Sequence, residues 1–218
     1  MLVNCPHGTV YGTLLNFRGA LEALGDAVHQ PPLKAPPKAP VLYIKPRNTH
    51  ARDGDAVVLP AGVAALEFGA SLALVIARTA CRVRERDALD HVAGYAVVND
   101  VSVPHASYYR PGLRFKCRDG YCPIGATVPR SAVADPDALA IEVEVDGRVV
   151  QRAHTSTLIR PVATLLADVT EFMTLAPGDL LMVGVPAGAP LLVAGQRATI
   201  RIEGVGTLHN HVVAEEAT

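Results

Sequence analysis

Stretches 41–45, 71–77, 95–100, 139–145, 148–153, 197–203 and 207–213 have the short, β-branched pattern of strands. In 139–145, Ile141, Val143 and Val145 alternate with Glu142, Glu144 and Asp146, which predicts one buried and one wet face. Asp146-Gly147 supplies the positive φ values of a tight hairpin, and Gly204-Val205-Gly206 predicts another between the last two stretches. One helix is clear: Leu158, Val162, Leu165, Leu166, Val169, Phe172 and Met173 form an apolar stripe. Thr155 to Thr157 offer N-caps for it, Pro161 is tolerated in an early turn, and Pro177-Gly178 closes it. Leu21, Leu24 and Val28 predict a shorter helix over 18–28, and residues 85–92 a weaker one. Many strands without βαβ alternation or a GxGxxG turn predict a mainly β fold with flanking helices, not a dinucleotide-binding one.

The run 30–40 holds five prolines in eleven residues and reads as a stiff, extended connector. Residues 1–40 are therefore expected to form a small N-terminal arm or lid, and residues 41–218 the main domain. Of the 218 residues 50% are hydrophobic and 19% charged, ample for a large core and unlike a disordered chain. Twenty basic against 21 acidic residues leave a net charge of −1, which predicts neither a nucleic-acid nor a membrane partner. The uncharged apolar stretch 180–195 is broken by Pro186 and Pro190 and too short to span a bilayer. The first residues lack a signal-peptide pattern, and Cys5, Cys81, Cys117 and Cys122 make no CxxC pair. These features predict a cytoplasmic protein with reduced thiols.

Candidate chemistry concentrates in two places. Arg110, Arg114, Lys116 and Arg118 lie close together and are interleaved with Tyr109, Phe115 and Cys117. If that segment is extended, Arg114, Lys116 and Arg118 share a face able to recognise carboxylates. A solvated loop is the plainer alternative, against which the interleaved apolar residues argue. Asn99-Asp100 ends an apolar strand, where a carboxylate can orient a ligand or a hard cation, or simply cap the strand. His209 and His211 project to one face without a third Cys or His nearby, which favours a surface role. No GxSxG elbow or Ser/His/Asp pattern supports covalent acyl chemistry.

Several of these segments together resemble the fumarylacetoacetate hydrolase family: Lys45-Pro46-Arg47-Asn48-Thr49, the run 92–102 containing Asn99-Asp100, and 114–125. Residues 171–179, Gly184-Val185-Pro186-Ala187-Gly188 and Glu203-Gly204-Val205-Gly206 also match, so the likeness runs in order along essentially the whole chain. It is greatest to the N-terminal-type half of the family's two-half isomerase/decarboxylases. The resemblance implies a mixed β-roll, either a homodimer or a hetero-assembly with a related C-terminal-type subunit, and a small anionic oxo-acid substrate. That substrate would be a 2-oxo- or 2-hydroxy-dienoic di- or tricarboxylate, chelated in the family to Mg²⁺ or Mn²⁺ acting as a Lewis acid. It assigns Lys116 to the lysine beside the enolate and Asp100 to the aspartate metal ligand. Arg110, Arg114, Arg118, Tyr109 and Asn99 are expected around the substrate.

Two departures change the expected chemistry. The family's Glu-x-Glu ligand pair falls on Gly69 and Ser71, so only Asp100 remains, with Glu67 on the same strand face as a partial substitute. One carboxylate does not hold Mg²⁺ without help from substrate. The family's lid His and Glu fall on Ala20 and Ala23, so a hydrolase that needs that dyad to activate water is not expected to work. An isomerase/decarboxylase subunit that relies on fixed basic side chains is the expectation. A non-catalytic partner subunit is the alternative, and an acylpyruvate hydrolase the third choice.

Overall fold

A computed structural model describes residues 8–31, 33–105 and 112–216. Its centre is a pair of long strands, β5 (Leu66–Ile76) and β6 (Val92–Ser102), buried on both faces along almost all of their length. Burial on both faces explains their near-continuous apolar character, and β5 starts earlier than the sequence pattern suggests. They pair antiparallel, with Glu67 opposite Ser102, Gly69 opposite Asp100 and Ser71 opposite Val98.

The sheet around them adds β1 (Val10–Leu14), β2 (Val41–Lys45), β3 (His50–Arg52), β7 (Cys122–Ile124) and β11 (Leu180–Met182). Their order is β2-β1-β11-β5-β6-β7-β3, with β12 (Leu191–Leu192) on β5 and β8 (Val128–Pro129) on β6. A second sheet contains β4 (Ala56–Leu59), β9 (Ala140–Val145), β10 (Arg148–His154), β13 (Arg197–Ile202) and β14 (Gly206–Ala214), in the order β10-β9-β13-β14-β4. Parallel pairs β1–β11, β3–β7 and β4–β14 sit among antiparallel ones, so both sheets are mixed. Asp146 (φ 49°) and Gly147 (φ 79°) make the β9–β10 turn as their residue types require.

The main core lies between these sheets and the helix α3 (Val162–Phe172). Leu72, Leu74, Tyr95 and Val97 meet Ile141, Val143, Ile200 and Leu208, and Leu165, Leu166 and Val169 of α3 close the cluster. The opposite face of β5–β6 buries Ala73, Val75, Ala96 and Val98 against Val10, Leu180 and Met182. The fold is mainly β with flanking helices, as the pattern predicts.

Three helical expectations change. The long helix starts at Val162, whose N–H donates to Asp137 Oδ1, and Thr155–Thr157 form a 3-10 turn instead of its first turn. The stretch 18–28 divides into α1 (Arg18–Glu22) and a 3-10 turn, Gly25–His29, which Gly25 opens at φ 50°. Residues Glu85–His91 are 3-10 rather than α-helical. Among the described residues no helix is long and apolar enough to cross a membrane.

Candidate active site

At one end of the second face of β5–β6 the apolar side chains give way to Glu67, Asp100 and Ser102, which share that face through strand alternation. Asp100 is 2% exposed and stands between two ammonium groups. Lys45 Nζ lies 2.7 Å from its Oδ1 and Lys116 Nζ 2.8 Å from its Oδ2. The Tyr43 hydroxyl also donates to Oδ2. Burial opposes ionisation of Asp100, but Lys116 and Lys45 outweigh it and hold the carboxyl well below the usual carboxylate range. Burial, together with the same carboxylate, pushes the Tyr43 phenol well above its ordinary value.

The two lysines differ in what else they touch. Lys45 is fully buried, and its ammonium donates to three carbonyls: Val101 O (2.7 Å), Lys116 O (2.8 Å) and Tyr121 O (2.9 Å). All three protons are spent on the backbone, so Asp100 meets Lys45 charge to charge. Burial pulls the Lys45 ammonium below its ordinary value, and Asp100 opposes that shift. Lys116, the last residue of α2 (Leu113–Lys116), donates instead to Asp100 Oδ2 and to Ser102 Oγ (3.0 Å). Among the described residues that gives two acceptors for three protons. Its Nζ also lies 4.6 Å from the centre of the Tyr43 ring. Gly12, paired with Tyr43, makes room for that ring; a Cβ at Gly12 would come 2.0 Å from Tyr43 Cζ.

Lys116 and Asp100 border a cavity of about 240 Å³, with Thr13, Glu67, His105, Ala20, Ala23 and the loop 185–189 among its other walls. Two polar side chains hold that loop and the entry to α1. Ser71 Oγ donates to Gly184 O (2.8 Å), and Asn16 Nδ2 donates to Val183 O (2.9 Å) while its Oδ1 accepts from Arg160 N (3.0 Å).

Of the residues singled out in the sequence, Lys116 and Asp100 meet and Glu67 joins them at the cavity. The cationic face expected of an extended segment does not form. Residues Leu113–Lys116 are a helical turn, because Gly112 O captures the N–H groups of Phe115 and Lys116. Two positions apart on a helix point roughly 200° apart, so Arg114 is exposed while Lys116 is buried. Arg118 lies beside Tyr121, away from the cavity lining. Asn99 is fully buried on the other face and its amide donates to Asn210 Oδ1 (3.3 Å), a packing role rather than a substrate contact. Tyr109 and Arg110 lie outside the described residues. Tyr43, Ser102 and His105 carry no sequence signal of their own, and Lys45 had one only through its Lys-Pro-Arg-Asn-Thr motif.

The residues present do not fit a divalent cation. Both Asp100 oxygens face ammonium groups, and two fixed positive charges against a single carboxylate repel a third. Ser71 gives its proton to Gly184 O, and Gly69 offers no donor. Glu67 does not complete a cage: among the described residues no three His, Cys, Asp or Glu side chains are grouped to hold a metal. Restoring the pair is also obstructed, because a Cβ at Gly69 would come 2.8 Å from Val185 Cγ2 and 2.9 Å from Asp100 O. Gly69→Ala is therefore expected to lose about 1–3 kcal/mol by overpacking, read from urea denaturation. Gly69→Glu/Ser71→Glu is expected to bind no Mn²⁺ by calorimetry. A Gly69→Ala variant as stable as the parent would refute the close approach.

Comparison with known proteins places this site in a family. The family described as "Fumarylacetoacetate (FAA) hydrolase C-terminal" matches residues 9–213. The homoprotocatechuate catabolism bifunctional isomerase/decarboxylase of Escherichia coli is 45% identical over 208 residues, 95% of this chain and 48% of that protein. The chain thus spans about half the length of that relative. Fumarylpyruvate hydrolase from Pseudomonas aeruginosa, solved with Mn²⁺ and pyruvate, superposes with a TM-score of 0.84 at 28% identity, over 96% of this chain and 91% of that one. The 2-hydroxyhepta-2,4-diene-1,7-dioate isomerase from Mycobacterium marinum gives 0.80 at 31%, over 97% and 76%. The chain belongs to the fumarylacetoacetate hydrolase family.

Proposed function

We propose that this chain is an enzyme subunit of 4-hydroxyphenylacetate (homoprotocatechuate) catabolism that ketonises 2-hydroxy-dienoic dicarboxylates, foremost 2-hydroxyhepta-2,4-diene-1,7-dioate. Decarboxylation of 5-oxopent-3-ene-1,2,5-tricarboxylate is the second reaction of the same class. The observation that carries the reading is the Lys116 ammonium, fixed by Asp100 and Ser102 at the cavity wall and with a third proton that no acceptor among the described residues takes. Ketonisation and decarboxylation both pass through a dienolate, and a pre-oriented ammonium stabilises the oxygen on which its charge collects. Two ammonium groups lower the proton affinity of Asp100 and make it a poor base; its part is to fix Lys116. Neither reaction requires an activated water, which suits a lid where Ala20 and Ala23 replace the family's acid/base pair. Arg110 and Tyr109 are the proposed ligands of the distal carboxylate, and a related half-length subunit is the proposed companion.

The test is to follow loss of the conjugated dienol by absorbance, with the purified chain alone and with its companion, in the presence and absence of EDTA. Turnover that EDTA changes by less than about twofold is expected, since the oxygen is polarised by a side chain. No turnover under any of these conditions would overturn the proposal. The alanines on the cavity wall favour one other reading, a non-catalytic partner subunit. It requires that the chain bind 2-oxoadipate, convert nothing, and still be needed for the companion's activity.

A further inference from the structure

The isomerase reading leaves a gap: Lys116 can hold the enolate oxygen, but something must put a proton on carbon. Among the described residues the ionisable side chains lining the cavity are Glu67, Asp100, His105 and Lys116. Asp100 is held ionised between two ammonium groups, and Lys116, fixed by Asp100 and Ser102, has its part at the enolate oxygen. His105 is stacked on Phe115, with ring centres 4.8 Å apart, and its Nδ1 is 3.1 Å from Val103 O. Glu67 is different. It sits directly across the β5–β6 ladder from Ser102, the residue whose hydroxyl accepts from Lys116 Nζ. Cross-strand neighbours on one face have Cβ atoms about 5 Å apart, so the carboxyl and the ammonium flank the same end of the cavity. It takes no part in the Lys45–Asp100–Lys116 ion pairs.

We propose that Glu67 is the proton carrier of this site; the assignment rests on the isomerase reading above. The neutral carboxyl delivers its proton to the terminal carbon of the dienol as the C=C electron pairs shift along the chain. The hydroxyl oxygen, facing Lys116, forms C=O and releases its proton, which restores the Glu67 carboxyl. One proton leaves oxygen, one arrives at carbon, and no oxidant or co-reactant is consumed. Burial raises the Glu67 carboxyl above its ordinary value, with Lys116 pulling the other way, the direction an acid requires.

The test compares the full chain with Glu67→Gln, Glu67→Ala and His105→Asn, reading kcat, KM, deuterium uptake at the product carbon in D₂O, 2-oxoadipate affinity and thermal melting. Loss of a positioned proton carrier is worth about 10²–10⁴-fold in kcat. Glu67→Gln is expected to show that loss with KM, 2-oxoadipate affinity and melting little changed. Added formate is expected to restore part of the Glu67→Ala rate, a rescue that a merely structural role would not give. Glu67→Gln turnover within about threefold of the parent would overturn the assignment while leaving the isomerase reading intact. So would a deficit carried by His105→Asn instead, or one in which Glu67→Gln loses 2-oxoadipate binding. A parent chain with no turnover would end the isomerase reading and this assignment together.

Discussion

Asp100→Asn is expected to destabilise the chain by about 3–5 kcal/mol, the cost of stripping a buried charge of its counter-ion. Lys45 has no exposed surface, and its three protons end on carbonyls that carry only partial charge, so Asp100 supplies the balancing full charge. Those carbonyls belong to the end of β6, the end of α2 and the approach to β7, and a weakened Lys45 loosens all three. In a domain of this size the loss corresponds to about 6–20 °C in Tm. The pH dependence follows with a definite sign. A carboxyl whose folded pKa is depressed contributes stability that is present above its unfolded value of about 3.9 and is lost as pH falls. The parent should therefore lose stability on acidification below about pH 5, and the variant less of it. Lys45, already lowered by burial, should fall further in the variant, so the unfolded chain binds the extra proton and the variant's stability should rise from neutral to alkaline pH. Lys45→Met/Asp100→Asn should lose less than the two single losses added. Urea titrations across pH measure all of this, and an Asp100→Asn midpoint equal to the parent's would refute the coupling.

What the sequence disclosed followed local rules. The alternation of Ile141, Val143 and Val145, the Asp146-Gly147 turn and the α3 stripe are each settled by residues adjacent in the chain, and each stands in the structure. The short strands β1, β3, β7 and β11 were not legible, because their reason for existing is far away: Val10 pairs with Leu180, and His50 with Cys122. The site divides the same way. Asp100 and Lys116 could be marked as charged residues in telling surroundings, whereas Lys45, at the end of an apolar strand, was marked only by its Lys-Pro-Arg-Asn-Thr motif. Only the arrival of β6, α2 and Tyr121 around it makes it the most buried cation of the site. The mistaken cationic face had an equally local cause. A single carbonyl, Gly112 O, turned an expected extended segment into a helical turn and sent Arg114 to solvent.

Lys116→Met is expected to lower kcat by about 10²–10³-fold, the usual cost of removing one pre-oriented donor from a developing oxyanion. The effect should fall on turnover more than on folding. Asp100 keeps Lys45 at 2.7 Å and the Tyr43 hydroxyl, so no buried charge is left without a partner, and the methionine stem can replace the aliphatic part of a side chain only 10% exposed. Stability should therefore fall less than in Asp100→Asn, and the two variants separate the roles of the two lysines. Lys116→Arg should not restore the rate, since a planar fork cannot occupy the position of a compact ammonium between Asp100 Oδ2, Ser102 Oγ and the Tyr43 ring. Steady-state kinetics on the dienol, set beside the melting temperatures, measure both effects. Parent-like kcat in Lys116→Met would remove the ammonium from the chemistry. A stability loss equal to that of Asp100→Asn would make Lys116 a second structural partner of the carboxylate instead of the group that meets the substrate.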